Sequence, residues 1–247
     1  MTDRYIEHHR IVCYDTDRSK RMKPVSFMNY AQEMANRHAD ILGFGYDDLI
    51  ASNTAWVLSR IHIRFLNIPH WRDEVDIHTW HKGPKGLFFL RDFCMYGADG
   101  NPAVLATTSW IIMNIDSRRI SRDPEHAPST DSERHVDAIG EPCAKVVMPK
   151  DAEVEEAGEH VVAYSDLDMN GHANNAMYIV WAMDVLDSEL LETRSLRDLR
   201  INFNAETRLG DKVSLLRSSR TSDDGTVTCW VEGVVDGRQS FITEFIF

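Results

Sequence analysis

The stretch RFLNIPHWRDEV, residues 64–75, aligns without gaps on NFNAETRLGDKV, residues 202–213, of the same chain. Phe65 falls on Phe203, and the aspartate and the valine near the end of each stretch coincide as well, always 138 positions apart. A gapless match of this kind within one chain indicates that a structural unit occurs twice.

Two further matches occur, and all three have the same order in both copies. The Asp-Gly pair at residues 99–100 recurs at residues 236–237, and an alternating apolar stretch follows each pair. Tyr14 and Tyr164 each begin a polar turn that leads into a helical pattern. Because three matches occur in one order, we interpret the chain as a duplicated domain.

Each copy is predicted to contain one amphipathic helix. In the first copy, apolar residues recur at helical spacing from Phe27 to Leu42, while Ser26 suits the helix start and Gly43 its end. In the second copy, the apolar positions after Asn174 are Met177, Val180, Met183, Leu186 and Leu190. We interpret both stripes as core rather than cofactor contacts.

After each helix the sequence predicts only strands. Residues 60–65 alternate polar and apolar side chains, and residues 200–204 repeat this pattern. The Asp-Gly pairs are typical of hairpin turns. One helix with four or five mostly antiparallel strands, present twice, is an α+β architecture in which each sheet wraps one helix.

Composition limits the function classes. A formal net charge of −12 over 247 residues argues against general nucleic-acid binding. No run approaches the roughly 18 apolar residues needed to span a bilayer, and the N-terminus has no apolar signal segment. The four cysteines form no CxxC pair, so we expect reduced thiols, no structural zinc and a cytoplasmic location.

The boundary between the copies is marked by composition. Four of the eight prolines lie between Pro124 and Pro149, and the acidic stretch DAEVEEAGEH follows them. We therefore predict an N-terminal domain at residues 1–125, a linker at residues 126–157 and a C-terminal domain at residues 158–247.

The copies differ in polar residues at matched positions. The second copy has Asp168, Asn170 and His172 before its helix, whereas the first copy has no histidine there. Glu206 falls on Ile68 of the first copy. The first copy also has 12 more residues between its tyrosine and the later Asp-x-Val, which we assign to a longer turn.

This polar set contains the groups that acyl hydrolysis needs. Alternate residues of an extended segment project to one side, so Asp168, Asn170 and His172 share a face. Histidine suits proton transfer near neutral pH, the Asn170 amide can donate to an oxyanion, and Glu206 can orient a water. The unpaired N–H groups of the following helix start also favour developing negative charge.

Simpler interpretations exist for the same residues. Asp168 and Asn170 also suit a turn in which each bonds nearby backbone, and Glu206 suits a surface carboxylate at a strand end. The sequence that starts at Asp166 resembles the first half of a calcium-binding loop, but Met177 occupies the position at which that loop requires a glutamate. No second histidine or cysteine stands at zinc-ligand spacing from His172.

YSDLDMNGHANNAMYIVW, residues 164–181, resembles the signature of the acyl-acyl carrier protein thioesterases, the plant plastid enzymes and their bacterial relatives. The resemblance extends to FNAET at residues 203–207, to WVLSR at residues 56–60 and to DEVDIHTW at residues 73–80. It implies a tandem double hot-dog fold, with two antiparallel sheets each wrapped around one long helix.

The resemblance implies hydrolysis of fatty acyl-acyl carrier protein (acyl-ACP) thioesters in fatty acid biosynthesis. It assigns catalysis to Asp168, Asn170, His172 and Glu206, the acyl pocket to the first domain, and no cofactor or metal. The family often has a cysteine after the matching glutamate, where this chain has Thr207. This departure favours attack by water, and a covalent acyl-Asp168 intermediate stays open.

Acyl carrier proteins are acidic, so docking on this chain requires a local basic patch. The candidates for this patch are four positively charged residues, Arg18, Lys20, Arg21 and Lys23. The alternative interpretation is that they form a solvated turn without a docking role. Either a monomer or a homodimer fits two hot-dog domains in one chain. The rival functions are an acyl-CoA thioesterase, a hot-dog hydratase or dehydratase, and a non-catalytic acyl-binding module.

Overall fold

The computed structural model describes residues 4–121 and 135–247. Residues 126–134 of the predicted linker therefore lie outside the described residues. The chain divides into two compact units, residues 1–143 and residues 144–247. Each unit is α+β, with helices and antiparallel strands.

The described residues of the first unit form five strands and two α-helices. In chain order they are β1 (Arg4–Arg10), α1 (Pro24–Leu42), α2 (Tyr46–Ala51), β2 (Thr54–Phe65), β3 (Glu74–Lys85), β4 (Phe88–Gly97) and β5 (Pro102–Asn114). The strands lie in the order β1-β3-β4-β5-β2, and each neighbouring pair is antiparallel. Helix α1 packs against β1 and β3.

Helix α1 buries the predicted apolar stripe over most of its length. Phe27 and Met34 are fully buried, whereas Ile41 is exposed. The helix begins at Pro24, so Ser26 does not cap it; the Ser26 hydroxyl is buried and donates to the Asp15 carbonyl oxygen. Gly43 ends the helix with a φ of 80°, as its sequence position predicts.

The second unit repeats this plan. Its elements are β6 (Glu155–Val161), α3 (Asn175–Asp184), α4 (Ser188–Thr193), β7 (Asp198–Phe203), β8 (Lys212–Thr221), β9 (Val227–Val235) and β10 (Arg238–Ile246). The strands lie in the order β7-β10-β9-β8-β6, again antiparallel throughout. Helix α3 packs against β9 and β10, and β6 begins inside the stretch predicted as linker.

Helix α3 differs from the prediction in length and in its buried face. It has 10 residues, and a separate helix α4 follows, with Asp187 as its N-cap. Ile179 and Ala182 are fully buried, whereas Met177 is only half-buried. Almost every residue of α3 is apolar, so the periodicity could not distinguish one face from another.

The duplication is visible in matching hydrogen bonds. The Asp17 N–H donates to the Arg21 carbonyl oxygen at 2.8 Å, and the Asp168 N–H donates to the His172 carbonyl oxygen at 2.8 Å. The two turns therefore have the same length, and the prediction of a longer turn in the first copy is wrong. The extra residues lie after the turn, largely in α1, which has 19 residues where α3 has 10.

Within the described part of the chain, no helix is long and apolar enough to cross a membrane. The four cysteines are free thiols, and Cys13 is exposed whereas the other three are buried. Burial raises the pKa of the Cys143 thiol to about 11, which keeps it protonated near neutral pH.

Candidate active site

Two chain segments bring the histidine and the glutamate together in the second unit. The Ala173 N–H donates to the Thr207 carbonyl oxygen at 3.0 Å, which ties the turn before α3 to the segment after β7. His172 precedes the first of these residues and Glu206 precedes the second. The His172 Nε2 atom consequently lies 3.2 Å from the Glu206 Oε2 atom.

Both members of this pair are accessible to water. The side chains are 29% exposed for His172 and 36% exposed for Glu206. An imidazole and a carboxylate at this distance can share a proton or hold one water molecule between them and a substrate. The arrangement is suited to general acid–base chemistry at a solvent-accessible position.

Asp168 organises the backbone of the turn. Its Oδ1 atom accepts hydrogen bonds from the N–H groups of Asn170, at 2.8 Å, and of His172, at 3.4 Å. Gly171 completes the turn with a φ of 74°, which is the left-handed region that glycine adopts without strain. Asp168 therefore fixes the backbone from which the imidazole projects.

The first unit provides an internal comparison for Asp168. Asp17 occupies the matching position, and its Oδ1 atom accepts from the N–H groups of Ser19, at 2.8 Å, and Arg21, at 2.9 Å. Arg21 stands in the place of the histidine, so this turn forms without the imidazole. Holding the turn is thus a role of the aspartate in both copies.

Asn170 lies at the exposed tip of the turn. Across residues 4–121 and 135–247, its side-chain amide has no hydrogen bond, so the structure does not bring it into contact with the imidazole or the carboxylate. The amide is consequently available to a ligand that enters from solvent.

Asn174 caps helix α3, which the sequence reasoning did not identify. Its Oδ1 atom accepts from the Ala176 N–H at 2.8 Å. The Met177 N–H donates to the Asn174 carbonyl oxygen at 2.9 Å, so two of the N–H groups at the helix start already have acceptors. The signal was an asparagine immediately before an apolar helical stretch.

Tyr178 and Thr207 form a buried hydrogen-bonded pair behind the site. The Tyr178 hydroxyl lies 3.0 Å from Thr207 Oγ1 and accepts from the Thr207 N–H at 3.2 Å. Burial raises the pKa of Tyr178, and the nearby negative charges of Glu206 and Asp168 raise it further against the opposing hydrogen bonds. Thr207 is fully buried, so its hydroxyl supports the segment and is not placed to attack an acyl group.

Arg208 is a further neighbour that sequence reasoning missed. Its Nη2 atom lies 2.7 Å from Glu206 Oε1, and its side chain is 61% exposed. The signal in the sequence was a cation two positions after the glutamate, which in an extended segment lies on the same side.

Comparison with known proteins identifies the family to which this chain belongs. A family model described as the Acyl-ACP thioesterase N-terminal domain matches residues 2–127, and one described as the Acyl-ACP thioesterase C-terminal domain matches residues 149–245. The chain belongs to the acyl-ACP thioesterase family. The resemblance drawn from residues 164–181 is thereby confirmed, and the C-terminal match contains both His172 and Glu206.

A curated relative of this acyl-ACP thioesterase family member is the chloroplastic oleoyl-acyl carrier protein thioesterase of Coriandrum sativum. It is 27% identical, and the match covers 91% of this chain and 65% of the relative. A second relative, from Arabidopsis thaliana, is 27% identical and is covered over 64% of its length. The chain therefore spans less than two thirds of the length of these two curated relatives.

A solved structure of an acyl-ACP thioesterase from Bacteroides thetaiotaomicron VPI-5482 superposes with a TM-score of 0.80 at 24% identity. The superposition covers 99% of this chain and 98% of that one, and shows that the two share a fold.

Proposed function

We propose that this chain hydrolyses fatty acyl-ACP thioesters, releasing a free fatty acid and the thiol of the carrier. The observation that carries the proposal is the water-accessible contact of 3.2 Å between His172 and Glu206. Family membership supplies the substrate class, and the pair supplies the proton transfer that the reaction requires.

The proposed reaction proceeds by direct attack of water. Glu206 Oε2 and His172 Nε2 orient the water, and the imidazole takes its proton as the oxygen bonds to the thioester carbonyl carbon. The Asn170 amide and the N–H group of Asn175, the first residue of α3, stabilise the oxyanion. When the intermediate collapses, the C–S bond breaks and the imidazolium returns its proton to the sulfur.

The geometry around Asp168 favours this path over a covalent acyl-aspartate. Its Oδ1 atom already accepts two backbone hydrogen bonds, which stabilise the carboxylate and make it a weaker nucleophile. In this proposal Asp168 is a positioning residue that acts through the backbone of His172.

We further propose that the fold is a tandem double hot-dog. Supporting it, each unit has five antiparallel strands with one helix, α1 or α3, packed against two of them. The proposed limits are an N-terminal domain at residues 1–125 that shapes the acyl pocket, a linker at residues 126–157 and a catalytic domain at residues 158–247.

Hydrolysis of purified acyl-ACP conjugates of graded chain length tests the function. We expect release of carrier thiol, measured with a thiol-capture dye, and a higher kcat/KM for acyl-ACP than for acyl-CoA of the same chain length. Preference for acyl-CoA would instead support the acyl-CoA thioesterase. If the folded protein releases no thiol from any thioester, the result would support the rival function of a non-catalytic acyl-binding module.

We propose that the acidic carrier docks on the exposed members of the basic patch. Arg18 and Lys20 are exposed, whereas Arg21 is half-buried and its Nε atom lies 3.1 Å from an Asp17 carboxylate oxygen. Lys23 is half-buried at the N-cap of α1. Arg18 and Lys20 are therefore the two members best placed to meet a carrier protein.

Reversing these two charges is expected to weaken carrier binding. Arg18→Glu with Lys20→Glu should raise KM for acyl-ACP about three- to tenfold at low salt, because charge complementarity assists encounter and is screened by salt. The KM for acyl-CoA should not change. The matched control is Lys85→Glu with Lys150→Glu, which alters two other exposed lysines. Equal KM changes in both double variants would contradict the docking patch.

A further inference from the structure

The Glu206 carboxylate is shared between two cationic or protonatable partners. Its Oε2 atom faces His172 Nε2 at 3.2 Å, and its Oε1 atom faces Arg208 Nη2 at 2.7 Å. A carboxylate held at both oxygens has a defined plane. The contact with Arg208 therefore helps to set the orientation of the carboxylate relative to the imidazole.

The backbone that carries Arg208 is itself fixed by a tight turn. The Arg208 N–H donates to Asp211 Oδ2 at 2.8 Å, and the Asp211 N–H donates to the Arg208 carbonyl oxygen at 3.0 Å. Gly210 has a φ of 86°, and its N–H donates to the Val162 carbonyl oxygen. These hydrogen bonds fix the backbone position from which the Arg208 side chain extends to Glu206.

The first unit shows that this turn does not require the arginine. The His70 N–H donates to Asp73 Oδ2 at 2.8 Å, and the Asp73 N–H donates to the His70 carbonyl oxygen at 3.0 Å. There His70 stands in the place of Arg208, and Ile68 in the place of Glu206. Arg208, Glu206 and His172 thus occur together in the second unit, whereas the first unit forms the same turn without an arginine, a glutamate or a histidine at the respective matching positions.

We propose that Arg208 is a positioning residue for thioester hydrolysis, which holds Glu206 Oε1 so that Oε2 stays directed at His172; this rests on the proposed function. A glutamate side chain has three rotatable bonds, and this one is 36% exposed. Loss of the Arg208 contact with Oε1 gives the carboxylate more rotational freedom, so that it spends less time against the imidazole.

A competing effect has the opposite sign. A cation beside a carboxylate stabilises its charged form, so Glu206 would accept hydrogen bonds from the water and the imidazole less strongly and would support the proton transfer to His172 less well. Because Arg208 is 61% exposed, solvent screens this effect. The loss of orientation should therefore dominate when the arginine is removed.

Steady-state kinetics of three variants test the proposal. Arg208→Gln should lower kcat for acyl-ACP about three- to tenfold with KM unchanged within about twofold. Arg208→Lys should retain at least about half of the wild-type kcat, because Arg208 contacts Glu206 through one nitrogen, Nη2, which an ammonium group can replace. The control Arg220→Gln removes a pair of similar length, 2.8 Å to Asp151, and should leave kcat unchanged.

A double variant separates positioning from a general structural effect. In the Glu206→Gln background, Arg208→Gln should change the single-turnover rate by less than about twofold, because the arginine acts through the glutamate. An equal loss in both backgrounds, a loss confined to KM, or wild-type kcat in Arg208→Gln would overturn the inference. If the wild-type chain hydrolyses acyl-ACP, those outcomes leave the proposed function standing; an inactive wild-type chain refutes the function itself.

Discussion

Replacing His172 by alanine is expected to lower kcat for acyl-ACP hydrolysis by about 10²- to 10⁴-fold, the range that general acid–base catalysis contributes. Glu206→Gln should cause a loss of the same order. Because the two side chains lie 3.2 Å apart and act on one water, the double variant should be little slower than the slower single variant. Single-turnover rates, followed by release of carrier thiol, measure all three.

His160→Ala is a matched control within the same unit. His160 Nε2 also contacts a carboxylate, Asp166 Oδ2 at 2.8 Å, and its side chain is 31% exposed against 29% for His172. This control should keep wild-type kcat while losing about 1 kcal/mol of unfolding free energy from the lost hydrogen bond. Wild-type turnover in folded His172→Ala, or equal rate losses in both histidine variants, would contradict the assignment.

His172 and Glu206 could be singled out from the sequence because the repeat shows that the first copy has neither residue at the matching position. The repeat placed Glu206 on Ile68, and the structure shows why that register holds. The Met22 N–H donates to the Pro69 carbonyl oxygen at 2.7 Å, and the Ala173 N–H makes the matching bond to Thr207. The same backbone contact thus joins turn and strand end in both copies, with different side chains on it.

Other features could not be read from the sequence. The extra residues of the first copy were assigned to its turn because a residue count cannot tell a longer turn from a longer helix. The nearly uniform apolar composition of α3 hid which face is buried, since a periodicity needs contrast between faces. The contact of Arg208 with Glu206 depends on side-chain rotamers, which local sequence leaves open at an exposed site.

Substitution of Asp168 is expected to distinguish its two possible roles. Asp168→Asn keeps a side-chain oxygen that can accept from the backbone N–H groups of Asn170 and His172, so kcat should stay within about tenfold of wild type. Asp168→Ala removes that acceptor, and kcat should fall by about 10- to 100-fold because a shifted backbone misplaces the imidazole. A covalent acyl-aspartate would require the asparagine variant to be as inactive as the alanine variant.

Asp17 supplies the control for this experiment. Asp17→Ala removes the same two backbone hydrogen bonds in the copy that has no imidazole, so it should cost about 1–2 kcal/mol of unfolding free energy without lowering kcat. A single turnover in water labelled with oxygen-18 gives an independent readout. Direct attack places the label in the fatty acid in the first turnover. An acyl-aspartate that water opens at the aspartyl carbon instead leaves the label in the Asp168 carboxylate and releases an acid whose second oxygen came, unlabelled, from the enzyme, so unlabelled acid in the first turnover would contradict direct attack. Because both aspartates hold the same turn, a large rate loss in Asp168→Ala that neither Asp168→Asn nor Asp17→Ala shares would indicate that the turn matters to catalysis through the histidine it carries.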